Sequence, residues 1–291
     1  MIVSIDALDS LDALIWLRTG EAACRRLGTA QPTISRRVRQ VIAAFDLRLH
    51  KQGGEWSLLG DQSLLAMERL VHQHYRWRHQ QPLRIEAQYF SGPLYCEPPP
   101  AGWIVGNFDF LEVHTPLRHL RTGVIDAWIA CHPDVPPPDD GQFACFPLTR
   151  LPTHLVVAPD HPLLQLGEAI RLDDVRRYPS LALPDNAFPQ VQAHLHALGL
   201  WNLTASLQRY DKHRWEGRIS DTLVVGYASA FSLRLFDSPQ VVLPLSIDLE
   251  VGDTLVVRRD FADHPRLQQL LAQLRLSAVE LARLHPEVRL P

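Results

Sequence analysis

The stretch ACRRLGTAQPTISRRV, residues 23–38, carries the clearest structural signal in the N-terminal part of this chain. Gly28 is typical of a helix end, and Pro32 is typical of the first turn of the next helix, where the N–H that proline lacks needs no partner. From there Ile34 and Val38 repeat at a helical spacing, while polar and basic side chains occupy the other positions. The stretch therefore predicts two helices joined by a tight turn, the second with one buried face and one basic face.

Helix and hairpin signals surround this stretch. An amphipathic first helix is predicted to begin near Asp6 and to end at Thr19-Gly20. The pair Gly53-Gly54 within residues 49–58 predicts a small hairpin, or wing. A longer helix over 61–78 has an apolar face that needs a partner, made of Leu64, Met67, Leu70, Val71 and Trp77. Pro82 follows this helix and marks the predicted domain boundary.

Beyond Pro82 predicted strands alternate with predicted helices. The strands are 83–89, 103–105, 110–113, 127–130, 155–158, 180–183, 222–227 and 254–258. The helices lie near 116–122, 188–198 and 264–284. Two proline clusters, residues 98–100 and 136–138, are expected to be extended loops. The alternation predicts a mixed α/β domain with crossover helices.

Composition limits the class of protein. The chain has 291 residues, of which 46% are hydrophobic and 21% charged, so we exclude a disordered chain and expect two domains. No apolar run is long enough for a membrane span, and the acidic N-terminal stretch is unlike a secretory signal, so we expect no membrane partner and a cytoplasmic location. The four cysteines form no C-x-x-C pair, so we expect neither a disulfide scaffold nor a four-ligand zinc site. No cofactor is predicted.

Charge is distributed unevenly along the chain. The net charge is −3, yet residues 18–51 hold eight basic and only two acidic side chains. A local excess of this kind in an otherwise acidic chain indicates a partner rich in phosphate.

Four ordered segments together resemble the LysR-type bacterial transcription regulators. Residues 23–38 are similar to the helix-turn-helix of that family, and residues 120–129, LRTGVIDAWI, are similar to an element of its effector domain. Residues 155–163 resemble the strand and turn that open the second subdomain, and residues 253–260 with the following helix resemble the closing elements. The resemblance implies an N-terminal winged helix-turn-helix and a C-terminal two-lobed α/β effector domain of periplasmic-binding-protein type.

The resemblance also implies a division of the chain and an assembly. Residues 1–59 would be the DNA-binding domain, 60–81 a linker and dimerisation helix, and 82–291 the effector-binding regulatory domain. The linker helix would pair with its twin, so that two recognition helices meet two half-sites of an inverted-repeat operator in double-stranded DNA. The family usually assembles into homotetramers, which implies at least a homodimer here.

The second helix of the motif is predicted to read DNA. Glutamine pairs bidentately with adenine and arginine with guanine, and further arginines and lysines hold phosphates. The predicted DNA-binding residues are Gln31, Pro32, Thr33, Ser35, Arg36, Arg37, Arg39, Gln40, Arg48 and Lys51. Read from spacing alone, the same residues could be the solvated face of a surface helix.

Three departures from the family pattern bear on these expectations. Ala30 stands where the family usually has serine or threonine, so a capping hydroxyl is missing. The wing holds little positive charge, which predicts weaker or more salt-sensitive DNA binding. The prolines at 98–100 fall where relatives have the first helix of the effector domain, so no regular helix is expected there.

Polar and aromatic residues at predicted strand ends are carried over as the effector site, since open α/β sheets gather ligands there. These predicted effector-binding residues are Gln88, Tyr89, Phe90, Ser91, Val113, His114, Thr115, Asp185, Asn186 and Phe188. Because the prolines disrupt the helix that favours carboxylate effectors in relatives, an anionic ligand is not assumed. Nearby aromatic side chains (Tyr89, Phe90, Tyr95 and Trp103) favour an aromatic or larger apolar one.

Other classes of function are weaker fits. The chain has no G-x-S-x-G, P-loop, H-E-x-x-H or G-x-G-x-x-G motif, so no enzyme and no catalytic residue is predicted. His72 and His74 are two apart in a helical stretch, as are His194 and His196, so the two rings of each pair point in different directions and no shared metal is expected. The cysteines are interpreted as core or loop thiols in preference to a redox switch. Two alternatives stay open: a dimeric interaction or co-regulatory protein of the same fold with weakened DNA binding, and a small-molecule carrier or enzyme that uses only the α/β lobes.

Overall fold

The computed structural model describes residues 1–204, 209–212, 223–235 and 237–291, and divides the chain into two compact units. The first unit contains residues 1–86, 98–107 and 116–128. The second unit contains residues 87–97, 108–115 and 129–291.

The first unit begins with three helices and the predicted wing, residues 5–59, which together are called the head here. Its elements are α1 (Ile5–Leu17), α2 (Gly20–Leu27), α3 (Gln31–Ala44), the hairpin strands β1 (Arg48–Gln52) and β2 (Glu55–Leu59), and α4 (Ser63–Arg78). Ser4 and Thr19 accept hydrogen bonds from the first turns of α1 and α2, which fixes where those helices start. The helix-turn-helix, the hairpin and the long helix are therefore confirmed within two residues of their predicted limits.

Helix α1 is the centre of the head because its apolar residues are packed on several sides. Leu8 and Leu11 are completely buried. Helix α3 packs against α1 with Ile34, Val38 and Val41, the stripe that the periodicity predicts.

Strands and helices alternate after residue 82. Strand β3 (Leu83–Ala87) pairs in parallel with β4 (Trp103–Val105), and helix α6 spans His114–Arg121. The remaining strands are β5 (Ala127–His132), β6 (Phe143–Pro147), β7 (Leu151–Val157), β8 (Leu181–Ala182), β9 (Leu203–Thr204), β10 (Gly226–Ala228) and β11 (Val241–Arg258). The remaining helices are α5 (Gly92–Cys96), α7 (Leu172–Val175), α8 (Pro189–Ala197), α9 (Ala230–Leu233) and α10 (Pro265–Leu284). Short 3-10 helices cover Pro162–Ala169 and Arg259–Phe261.

One long strand organises the second unit. Strand β11 pairs antiparallel with β7 along its first part and with β6 along its last part, and β7 pairs antiparallel with β10 on its other edge. Strands β8 and β9 form a separate parallel pair. The mixed α/β architecture that the alternation predicts is confirmed.

Several local predictions are wrong. Residues 110–113 form no strand, because Phe110 makes only an isolated bridge to Arg209. The strand predicted at 254–258 is the end of an 18-residue strand, and β6 corresponds to no predicted strand. The predicted strand 222–227 overlaps β10 only at Gly226 and Tyr227, and Thr222 lies outside the described residues.

The prolines at 98–100 lie outside any regular helix, as expected, since α5 is a five-residue helix that stops before them.

Within the described ranges, the structure contains no helix that is both long and apolar enough to cross a membrane.

Candidate functional site

Helix α3 presents a polar surface to solvent. Its residues Gln31, Pro32, Arg36, Arg39 and Gln40 are exposed. Thr33, Ser35 and Arg37 are half-buried beside them. Because residues three and four apart share a helix face, Arg36 lies on the same side as Gln40 and Thr33.

Three arginines of the head are free to contact a partner. Arg36, Arg39 and Arg48 are exposed and make no hydrogen bond or ion pair within the described part of the chain. A guanidinium group without an internal partner retains all five N–H donors for phosphate or for guanine. These three exposed arginines are the observation that best supports the predicted DNA interface.

Other residues of the motif are held by their own chain. Arg37 forms an ion pair with Asp6, and Arg26 donates a hydrogen bond to the carbonyl oxygen of Gly106 at 2.9 Å. Ala30 precedes α3 without any side-chain cap, as its lack of a hydroxyl requires. The side chain of Gln31 lies against Gly20, where an added Cβ would meet its Nε2 at 3.3 Å.

The wing is fixed to the head by its tryptophan. Trp56 Nε1 donates a hydrogen bond to the carbonyl oxygen of Arg18 at 2.8 Å. The ammonium group of Lys51 lies 5.0 Å from the centre of the Trp56 ring, in a cation–π contact. Lys51 is exposed, so its charge faces solvent next to an ordered hairpin.

Helix α4 exposes most of the apolar face that the periodicity predicts. Leu64, Met67 and Val71 are 54%, 56% and 51% exposed, and their three- and four-residue spacing aligns them in one stripe. The prediction that Trp77 belongs to the same face is wrong. Trp77 is buried and packs edge-to-face on Trp103.

The buried face of α4 carries charges that the sequence analysis missed. Arg76 donates to Asp126 from Nε at 3.1 Å and from its terminal nitrogen at 2.9 Å. Arg69 donates twice to Asp12, at 2.9 and 2.6 Å, and Arg84 bridges Asp12 at 3.3 Å. These side chains are buried, so the network depends on complete pairing.

This network changes the pKa of Arg76. Burial lowers the pKa of the Arg76 guanidinium, but the nearby carboxylates, chiefly Asp126, outweigh it and raise that pKa above its ordinary value. The pairing therefore keeps the buried arginine charged.

The second unit contains an apolar cavity with an empty volume of about 740 Å³, including its opening to solvent. Three of the predicted effector residues line it: Tyr89, Phe90 and Phe188. Trp201 and Tyr227 complete an aromatic wall and lie outside the predicted set. Tyr95 and Trp103, the other two aromatic candidates, do not line it.

The remaining predicted effector residues do not line the cavity. Val113 donates a backbone hydrogen bond to Ala187 at 3.0 Å, and His114 Nε2 lies 2.8 Å from the carbonyl oxygen of Asn186, so two of the predicted loops meet. Two more residues of the predicted set lie on these loops: Asp185 is exposed, and the N–H of Thr115 donates a hydrogen bond to Glu112.

Two further members are buried near the start of α5. Gln88 is fully buried, and both polar atoms of its side chain lack a partner within the described residues. Ser91 donates to the buried carboxyl group of Asp253, which also accepts from Thr149 at 3.0 Å. Burial raises the pKa of Asp253 although these hydrogen bonds oppose it.

The titratable groups in the cavity wall are neutral. Burial raises the pKa of Tyr89 and of the Cys131 thiol far above their ordinary values, and it raises the pKa of Tyr227 to about 12. Outside the wall, burial likewise raises the pKa of the Cys145 thiol to about 11. Neither Cys131 nor Cys145 has the thiolate character that a reactive cysteine needs.

No group of three or more potential metal ligands occurs among the residues that the structure describes. All four cysteines are unbridged.

A helix-turn-helix that exposes arginines, together with an apolar cavity, is the combination typical of effector-responsive transcriptional regulators. Residues 107–278 match the family described as the LysR substrate binding domain, and the chain belongs to that family. No curated protein matches the chain.

Solved structures share this fold over nearly the whole chain. A full-length variant of OxyR from Pseudomonas aeruginosa is 17% identical with a TM-score of 0.58, over 95% of this chain and 94% of that one. A probable transcriptional regulator from the same organism is 15% identical with a TM-score of 0.60, over 94% and 96%. Full-length CbnR in complex with its target DNA is 15% identical with a TM-score of 0.52, over 94% and 99%. At these identities the likeness concerns the fold.

Proposed function

We propose that this chain is a bacterial DNA-binding transcriptional regulator controlled by a small-molecule effector. Residues 1–59 act as the DNA-binding domain, 60–81 as the dimerisation helix and 82–291 as the effector domain. The observation that carries the proposal is the exposed face of α3 in a chain that belongs to the LysR substrate binding domain family. On that face Arg36 and Arg39 have no partner among the described residues.

Within this proposal α3 enters the major groove. Arg36, Gln40 and Thr33 share the face that reaches base edges, and Arg39, Arg48 and Lys51 contact phosphates. Gln31, Pro32 and Ser35 lie at the start of the helix, close to the backbone of the duplex. Arg37 contributes less, because Asp6 already neutralises it.

Pairing of two chains is proposed through the exposed stripe of α4. Leu64, Met67 and Val71 leave an apolar strip in water that a second α4 would cover, with the a/d spacing of helix pairs. A homodimer places two α3 helices on an inverted repeat, and the family resemblance extends the assembly to a homotetramer. CbnR, which has the same fold, was solved on its target DNA.

The cavity of the second unit is the proposed effector site. A ligand there shifts the balance between two arrangements of the protein only by its different affinity for each of them. We propose no catalytic reaction for the chain, and we propose that it acts in the cytoplasm, where its DNA partner is found.

The experiment that tests this function is a selection of random DNA duplexes with the full-length protein. We expect enrichment of an inverted repeat that Arg36→Ala loses and that Arg283→Ala retains, since Arg283 is an exposed arginine of α10 paired with Glu280. Absence of enrichment at about 50 mM salt, where phosphate contacts are strongest, would overturn the proposal and favour an interaction protein.

A further inference from the structure

The wall of the effector cavity carries no charged side chain among the described residues that line it. Its titratable members, Tyr89, Cys131 and Tyr227, are all held in their neutral forms. An ion that entered would lose its hydration without gaining a counter-charge, which is strongly unfavourable. The cavity thus selects against charged ligands.

The first turns of α8 and α5, near the cavity, have no free site for an anion either. Helix α8 follows Phe188 of the wall, but its first N–H groups already have a carboxylate partner: Asp134 accepts from Gln190 at 2.7 Å and from Val191 at 3.2 Å. The chain itself thus supplies the anion that the positive end of α8 attracts.

Helix α5 is equally satisfied at its start. The N–H of Gly92 donates to the carbonyl oxygen of Gln88 at 2.8 Å, and that of Leu94 donates to Ser91 at 3.0 Å. A ligand carboxylate would find no free backbone donor at these positions.

Two buried polar atoms of the wall do lack a partner. Trp201 Nε1 and Thr153 Oγ1 make no hydrogen bond within the described part of the chain, and the two residues are 6% and 9% exposed. Buried donors without an acceptor are unfavourable, so an arriving acceptor is favoured at both. The aromatic rings of Tyr89, Phe90 and Phe188 supply stacking and edge contacts for a ring.

We propose that this cavity binds an uncharged ligand built around an aromatic ring and bearing a carbonyl-type acceptor that meets Trp201 Nε1 and Thr153 Oγ1. The inference rests on the proposed function in taking this cavity as the effector site. It adds the ligand class and the two residues that select it.

The test uses two naphthalenes of nearly equal shape. The neutral dye N-phenyl-1-naphthylamine reports occupancy of the cavity of the full-length protein by its fluorescence, and the competitors are 2-acetonaphthone and 2-naphthoate. These competitors differ in a methyl group against a charged oxygen. We expect the ketone to displace the dye, and the carboxylate to bind at least about tenfold more weakly because it must lose its hydration.

Variants then assign the hydrogen bonds. Trp201→Phe keeps an aromatic side chain and Thr153→Val keeps a branched one, but each removes the hydrogen-bond donor. Each variant should lower the affinity for the ketone by about threefold to tenfold. The affinity for naphthalene itself, which has no acceptor, should stay unchanged. Thr122→Val, at a threonine outside the cavity, is the matched control. Leu183→Trp fills the cavity and should abolish displacement, which locates the probe.

Three outcomes would overturn the proposed ligand class. They are equal or tighter binding of the carboxylate, displacement that survives Leu183→Trp, and loss of naphthalene and ketone affinity to the same extent in the donor variants. A protein that binds the ketone as expected but enriches no DNA duplex would support the ligand class and overturn the regulator function, so the two failures are distinguishable.

Discussion

Replacing Asp126 by asparagine is expected to destabilise the first unit strongly. Asp126 is fully buried and accepts from Arg76 Nε at 3.1 Å, from the Arg76 terminal nitrogen at 2.9 Å, from Gln73 at 3.1 Å and from the Arg84 backbone at 3.0 Å. Asparagine has nearly the same shape, but it removes the negative charge and turns one acceptor into a donor that faces donors.

The size of the expected loss in stability follows from the buried charge of Arg76, which the substitution leaves without its main partner. Removal of one partner of a buried ion pair typically costs about 3–5 kcal/mol because the other charge stays buried without compensation. Arg76 is 1% exposed, and its other carboxylate neighbours, Asp9 at 3.9 Å and Asp12, make no hydrogen bond to it that could replace those of Asp126. We therefore expect Asp126→Asn to lower the free energy of unfolding by about 3–5 kcal/mol.

Urea unfolding of the full-length protein, followed by circular dichroism, measures this change. The control is Asp173→Asn, since Asp173 has an 80% exposed side chain paired with Arg176 at 2.8 Å and should change the free energy of unfolding by less than about 0.5 kcal/mol. In the Asp126→Asn background, Arg76→Met should cost less than it does in the wild type, because it removes a charge that has already lost its partner. A loss below about 1 kcal/mol for Asp126→Asn, or additivity of the two changes, would refute a tightly coupled buried pair.

Three further predictions concern the head and α4. Arg48→Ala should weaken binding to any duplex and reduce the slope of log affinity against log salt by about 1, as expected for one phosphate contact, while Arg283→Ala leaves that slope unchanged. Val71→Glu should shift the protein from dimer to monomer in sedimentation equilibrium, because a charge replaces an apolar contact; an unchanged dimer would move the interface elsewhere. Burial of the Glu68 carboxyl raises its pKa, but hydrogen bonds from the backbone of Val3 and Ile2 and from His72 outweigh it, so the pKa is lowered. That carboxylate therefore contributes stability above its ordinary pKa of 4.5, and the contribution is lost as pH falls through the lower folded-state value. Hydrogen exchange of the Val3 amide should thus accelerate in acid beyond the intrinsic pH dependence, and an acid-dependent step that persists in Glu68→Gln would contradict this assignment.

Local signals explain why the head was predictable. The caps at Thr19, the glycine at 28 and the apolar repeat of Ile34 and Val38 all act within a few residues, and each agrees with the fold that forms. The free arginines of α3 were predictable as exposed because a periodic helix has only one face to bury. That Arg37 is neutralised by Asp6 was not, since 31 residues separate them.

The effector site was only partly predictable. Three residues of the wall could be predicted because they lie at the end of a predicted strand or begin a predicted helix: Tyr89, Phe90 and Phe188. Trp201 lies in the segment between α8 and β9. It is part of the wall only because residues far away in the sequence, such as Tyr89, line the same cavity. Its aromatic ring was a signal of burial, but not of the surface it would join.

The helix-turn-helix, the hairpin and the existence of α4 could be predicted from the amino-acid sequence alone, because hydrogen bonds and apolar repeats within one turn or one hairpin specify them. Which side of α4 faces inward depends on contacts between residues far apart in the chain. Its apolar repeat predicts that Leu64 and Met67 need a partner without saying which one; in the structure both are exposed while Arg76 is buried. The reason is that Arg76 meets Asp126 across 50 residues of chain, and a charge can be buried only where such a distant partner arrives.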